Sequence, residues 1–160
     1  MERGYEIMER MPSEFSCKRR IEFAETDMAG IAHYSVFFRL MEETEAAFWR
    51  SLGLSMFVRE GAGPLGWPKV RVSCEYLMPV RFEDVLETRL RVEEVGKRSI
   101  RFGFCFRKCS AATGEPERDV ARGELKVACV LMNPGGSEEL KAIPIPEEIR
   151  AKLENGPATS

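Results

Sequence analysis

The 160-residue chain carries one histidine, His33. A site built on two imidazoles is therefore excluded, and any Ser-His or Cys-His hydrolase would have to use that single ring. Neither sign of charge dominates: 24 Lys and Arg stand against 26 Asp and Glu, a net charge of −2. That balance argues against a nucleic-acid binder, whose footprint is a basic excess. No apolar run approaches the ~18 residues of a membrane-spanning helix. The charged N-terminus lacks the apolar stretch of a secretory signal, so a cytoplasmic protein is expected. Five cysteines (Cys17, Cys74, Cys105, Cys109 and Cys129) form no C-x-x-C pair, and with one histidine they make no tetrahedral zinc set. They read as reduced, buried thiols. Repeats, low-complexity tracts and glycine motifs of the phosphate-binding kind are also missing. What remains is 44% apolar residues, enough for a core, in a length that suits one domain.

Along the chain, residues 1–13 read as a flexible leader and EFSCKRRIEF (14–23) as a strand whose alternation falters at Lys18-Arg19-Arg20. After the polar connection AETDMAGIAH comes the one long helix, YSVFFRLMEETEAAFWRSLG. Phe37, Met41, Thr44, Phe48 and Leu52 form its buried stripe, with Arg39, Glu42, Glu43, Glu45 and Arg50 mostly off it. Ser35 is the expected N-cap and Gly53 the stop. Residues 54–68 form a Gly- and Pro-rich connection with a helical turn expected at its start. Strands follow. KVRVSCEYLM places Val70, Val72, Cys74 and Tyr76 on one face, and DVLETRLRVEEVG places Leu86, Thr88, Leu90 and Val92 on one face. A tight turn at Gly96-Lys97 leads to RSIRFGFCFRK, with Ile100, Phe102, Phe104 and Phe106 together. A last long strand, DVARGELKVACVLMN, ends at an Asn133–Gly136 turn, and Pro146 opens a short C-terminal helix. The economical α+β architecture curves an antiparallel sheet around the single striped helix. Its edge and outer face still need partners, which predicts a homo-oligomer.

The stretch Ile21 to Glu45 is the richest in chemistry. Asp27 lies just before a helix start, beside Ala29 and Gly30, small residues that let a substrate approach the backbone. A helix N-terminus presents unpaired N–H groups and partial positive charge, suited to a developing oxyanion. A carboxylate facing such donors is a minimal acyl-transfer site.

The run F-x-E-T-D-M-A-G-I-A-H-Y, followed by a helix carrying Glu42 and ending at Leu52-Gly53, resembles the hotdog-fold acyl-CoA thioesterases, most closely the 4-hydroxybenzoyl-CoA thioesterase type. CEYLMPVRFEDVLETRLRVEEVGKRSIRF continues the likeness, which spans about residues 14–133 in order. The resemblance implies a hotdog fold over 14–154 with a frayed end at 155–160. It implies Asp27 as the catalytic carboxylate, attacking the thioester carbonyl or activating water, and the backbone N–H of Tyr34 as the oxyanion donor. His33 falls where relatives carry His or an aromatic. Tyr34 falls where one branch has His and the hydroxybenzoyl branch has Tyr, which leans toward an aromatic acyl group. Glu42 would support the His33-Tyr34 loop, while Glu25 has no acid-base role in the family pattern. Lys97, Arg98 and Ser99 would lie near the nucleotide end of the ligand, with Lys69, Arg71, Arg81 and Arg101 as other cations. CoA is then part of the substrate, no metal or redox cofactor is implied, and sites between subunits imply a homodimer or homotetramer without nucleic-acid or membrane partners. Hotdog folds also serve as dehydratases and as acyl-CoA or acyl-carrier binding modules, the two alternatives to a thioesterase.

Overall fold

The computed structural model describes residues 13–58, 64–132 and 140–156. Most of the expected leader, the centre of the 54–68 connection and the Asn133–Gly136 turn lie outside them. Strand β1 (Glu14–Arg20) leads through a 3-10 turn (Phe23–Glu25) to helix α1 (Tyr34–Ser51). Strands β2 (Phe57–Val58), β3 (Leu65–Gly66), β4 (Lys69–Tyr76), β5 (Val85–Val95), β6 (Ser99–Cys109), β7 (Pro116–Ala128), β8 (Val130–Met132) and β9 (Leu140–Ala142) follow, then helix α2 (Glu147–Asn155). A five-stranded antiparallel sheet runs β1-β5-β6-β7-β4, and a smaller antiparallel sheet runs β2-β3-β8-β9. This is the α+β hotdog arrangement of an antiparallel sheet closed on one helix. The single last strand expected from the sequence is in fact two. At Cys129 the N–H donates to the Arg98 carbonyl (2.8 Å) and the carbonyl accepts from Ile143 N–H (3.0 Å), passing the chain from one sheet to the other.

The core lies between α1 and the large sheet. Phe37, Met41, Thr44, Phe48 and Leu52 are buried as their spacing predicts, joined by Val36, Leu40 and Trp49. Leu86, Leu90, Ile100, Phe102, Phe104 and Phe106 meet them from β5 and β6. Each such side chain contributes about 1.5–3 kcal/mol by leaving water. Gly123 of β7 sets how closely the two layers approach, since a Cβ there would sit 2.0 Å from Met41 Cε. Gly53, at φ +68°, ends the helix as expected. The N-cap is His33 rather than Ser35: Nδ1 of His33 accepts from the Ser35 N–H. No helical turn opens the 54–68 connection among the described residues, where β2 and β3 stand instead. Ser13, placed in the leader, is buried and donates its hydroxyl to the Leu153 carbonyl, so the ordered fold reaches it. Asn155, assigned to the frayed end, closes α2. Of the cysteines, all free, Cys109 and Cys129 are buried and the other three half-buried. No helix among the described residues is long and apolar enough to cross a membrane.

Two departures share a cause. Paired residues of an antiparallel ladder project to the same side, and Ala121, Leu125 and Val127 of β7 are buried against α1. Their partners Tyr76, Val72 and Lys69 therefore face α1, with a bulge between Lys69 and Arg71 that expels Val70 into solvent. Lys69 takes the inward place expected of Val70 because Glu45 is waiting for it. Glu45 lies four residues after Met41, on the buried stripe and not off it; it is fully buried, with Lys69 Nζ 2.6 Å from Oε2 and Trp49 Nε1 3.4 Å from Oε1. Burial pushes the Glu45 carboxyl above the ordinary carboxylate range, against the pull of Lys69. A raised folded pKa means that the ionised carboxyl costs stability, a cost that grows as pH rises through it. Lys69→Met leaves that charge uncompensated and should cost about 3 kcal/mol near neutral pH, the low end for a buried pair because Lys69 is a third exposed. Denaturant unfolding from about pH 4 to about pH 7 should show the loss growing with pH; a loss independent of pH would contradict this.

Candidate active site

The segment between β1 and α1 is folded by its own backbone. Thr26 and Ala32 form an antiparallel bridge, the Asp27 N–H donates to the Ile31 carbonyl (2.8 Å), and the Gly30 N–H donates to the Asp27 carbonyl (3.0 Å). Gly30 has φ +74°, a left-handed conformation that favours glycine at this tight reversal. The Asp27 Oδ1 accepts from the N–H of Ala29 (2.8 Å) and more distantly from that of Ile31 (3.4 Å). Oδ2 has no partner among the described residues. Two further bonds dock the loop: Ala32 N–H to the Val80 carbonyl (2.7 Å) and His33 N–H to the Glu25 carbonyl (2.8 Å).

Immediately after the loop, α1 starts. His33 caps it, with Nδ1 accepting from the Ser35 N–H (3.3 Å) and lying 2.8 Å from Ser35 Oγ. Because Nδ1 is an acceptor, the proton of the neutral ring sits on Nε2. The His33 carbonyl takes the Val36 N–H (2.9 Å). Among the described residues the Tyr34 N–H has no acceptor, which makes it an open donor at the positive end of the helix. It borders a cleft of about 340 Å³ lined by Asp27, Ile31, Tyr34, Phe37, Tyr76 and the segment Leu77–Val80. Carboxylate, open N–H and an apolar, aromatic wall thus meet in one place, the parts an acyl-transfer site needs.

Asp27 and Tyr34 are brought together at the cleft. Gly30 shapes the loop and His33 caps the helix, and neither lines the cleft. Glu42 is exposed, and the bonds that hold the His33-Tyr34 loop come instead from Glu25, Ser35, Tyr76 and Val80. Lys97 and Arg98, exposed in the β5–β6 turn, and Ser99 at the start of β6 stand at the far end of the sheet. Seven residue steps along β6 separate Ser99 from Phe106, whose ring touches Phe37 at the cleft, a span of about 23 Å. The turn's carbonyls are occupied: Lys97 accepts from Ile145 N–H and Arg98 from Cys129 N–H, while Arg150 donates to Gly96 at 2.6 Å. Tyr76 is the polar residue of the cleft lining that the sequence reading did not assign to the site. It was visible only as one aromatic in an alternating strand, because its place opposite the helix start depends on β4 pairing with β7.

Comparison with known proteins shows the family and the fold. The sequence profile of the thioesterase superfamily matches residues 29–110. A protein of Aquifex aeolicus (strain VF5), named in general terms as an esterase, is 31% identical over 141 residues, covering 88% of this chain and 98% of its own. A 1,4-dihydroxy-2-naphthoyl-CoA hydrolase of Prochlorococcus marinus (strain NATL2A) is 27% identical over 107 residues, 62% of this chain and 69% of its own. The crystal structure of 4-hydroxybenzoyl-CoA thioesterase from Pseudomonas sp. strain CBS-3 superposes with a TM-score of 0.71 at 19% identity, covering 86% of this chain and 98% of that one.

A charged brace holds the loop from behind. Arg19 keeps the inward phase of β1, opposite Leu86, and grips both oxygens of Glu25 (2.6 and 2.9 Å) while its Nε lies 2.9 Å from Glu43 of α1. Glu25 also accepts from the Glu22 N–H (2.9 Å), closing the 3-10 turn. The Arg19 guanidinium holds the Glu25 carboxyl below the ordinary carboxylate range, which makes it a strut rather than an acid. A lowered folded pKa gives stability that is present above the ordinary range and lost as pH falls through the folded value. Arg19→Gln should therefore cost about 1 kcal/mol near neutral pH, and pH-dependent unfolding should show that difference vanishing in acid. A difference that persists in acid would contradict the brace.

Proposed function

This chain belongs to the thioesterase superfamily, and from that premise we propose that it hydrolyses an acyl-CoA thioester, with an aromatic acyl group favoured, to the free acid and CoA. One observation carries the reading: the Asp27 carboxylate and the open Tyr34 N–H border the same apolar cleft. The thioester carbonyl oxygen rests against that N–H, where the helix end stabilises the negative charge as it develops. Asp27, fixed through Oδ1 by the Ala29 N–H, presents Oδ2 either to attack the carbonyl carbon or to take a proton from the attacking water. The C–S bond breaks and CoA leaves as thiolate. On the nucleophilic route a single water then hydrolyses the acyl-aspartyl anhydride, releasing the acid and restoring the Asp27 carboxylate. Neither metal nor redox cofactor enters these steps.

The aromatic preference draws support from the rings of Tyr34, Phe37 and Tyr76 around the cleft, and from two relatives whose names describe aromatic acyl-CoA esters. The working unit is taken to be a homodimer or homotetramer. β4 leaves Val70, Val72 and Tyr76 exposed along one sheet edge, and an exposed edge invites pairing with another chain. Lys97, Arg98 and Ser99, too far from the cleft of their own protomer, would then reach the CoA phosphates held by a neighbouring copy. The expected location is the cytoplasm, where reduced thiols persist.

A thiol-release assay over aryl, branched and long-chain acyl-CoAs tests the reading. Aryl esters should give the highest kcat/KM, and Asp27→Asn should lower it by on the order of 10²-fold or more with the fold intact. A folded Asp27→Asn protein of full activity, or tight acyl-CoA binding with no thiol released from any ester, would overturn it.

A further inference from the structure

Tyr76 ends β4 opposite Ala121 of β7, a buried residue facing α1, so the tyrosine projects toward the helix as well. Its ring meets Phe37 edge to face, with centroids 5.2 Å apart and planes at 76°. Its hydroxyl donates to the Tyr34 carbonyl at 2.9 Å, joining residues 42 apart in the chain. That carbonyl and the Ser35 N–H belong to one peptide group, and the N–H is taken by His33 Nδ1. The first peptide plane of α1 is therefore held at both ends by side chains, one from the cap and one from the sheet. The peptide group just before it carries the Tyr34 N–H, and the two planes share the Tyr34 Cα. A hydrogen bond weakens steeply once its angle falls toward about 120°, so an oxyanion donor is only as good as its direction.

We propose that Tyr76 is a positioning residue for thioester hydrolysis: its hydroxyl, by anchoring the Tyr34 carbonyl, fixes the direction in which the Tyr34 N–H enters the cleft. This rests on the reading of that N–H as the oxyanion donor. Burial, reinforced by the neighbouring Cys74 thiol, pushes the Tyr76 phenol up to about 12, so the hydroxyl keeps the proton it donates to the Tyr34 carbonyl.

Tyr76→Phe removes the hydroxyl and keeps the ring edge on Phe37. With the preferred acyl-CoA, kcat should fall about tenfold, the cost of a modest misplacement in the site, while KM stays within about twofold and the thermal midpoint is unchanged. Incorporation of 4-aminophenylalanine at position 76 returns a donor to the same place and should restore kcat to within about threefold. Asp27→Asn is measured beside them. If Asp27→Asn is inactive but Tyr76→Phe keeps the parent kcat, or raises KM alone as a direct substrate contact would, the positioning role is overturned and the thioesterase reading stands. If the amino variant stays as slow as Tyr76→Phe, the hydroxyl is not acting as a donor and the role is overturned. A fully active Asp27→Asn overturns both.

Discussion

An α-helix leaves its first N–H groups without acceptors inside itself, and the proposed chemistry depends on who supplies them at the start of α1. His33 supplies two. Its ring takes the Ser35 N–H and its carbonyl takes the Val36 N–H. The Tyr34 N–H is left over, and the loop that could have covered it is held back by the Ala32–Val80 and His33–Glu25 backbone bonds. The N–H opens onto a cleft with a carboxylate across it, where a substrate oxygen can complete the cap. The lone histidine thus caps the helix, its Nδ1 accepting from the Ser35 N–H.

Charge divides the sheet into two faces with different tasks. On the outer face, Arg101 lies between Glu93 (2.8 Å) and Glu124 (3.7 Å), and Asp119 between Arg107 and Arg122. Exposed pairs of this kind contribute about 0–1 kcal/mol each, so they specify which face is wet more than they stabilise. On the inner face ions are few and each is paired. Arg19 joins Glu25 and Glu43, and Lys69 joins Glu45, so that β1 and β4, the two sheet edges, are each tied to α1 by one cation. The two ties bracket the helix and hold it in register with the loop that carries Asp27.

What could be read from the sequence was whatever depends on local period. The apolar stripe of α1 and the inward faces of β5 and β6 follow from 3.6- and 2-residue spacing, which burial enforces. Asp27 and Tyr34 were legible through the D-M-A-G-I-A-H-Y segment, because loop and helix start are adjacent in the chain. The errors fall where a charge is buried or a strand pairs at long range. Glu45 has the right spacing for the core and the wrong chemistry, and only Lys69, delivered by a bulge, makes it tolerable there. Arg19 broke the alternation of β1 by type, though not by direction. Ser35 is the better N-cap by intrinsic preference, but His33 outcompetes it because the Glu25 carbonyl fixes its backbone. Tyr76 could not be assigned to the site until β4 was known to lie beside β7.

The central claim is that a single backbone N–H, left open by the way α1 is capped, stabilises the reacting oxygen. Replacing Tyr34 with its α-hydroxy acid analogue tests it most directly, because the ester deletes that N–H and keeps every side chain. No described helical bond uses this donor, so the fold should persist. The kcat should fall on the order of 10²-fold in a protein that still binds acyl-CoA. An ester-containing protein that turns over substrate at the parent rate would contradict it.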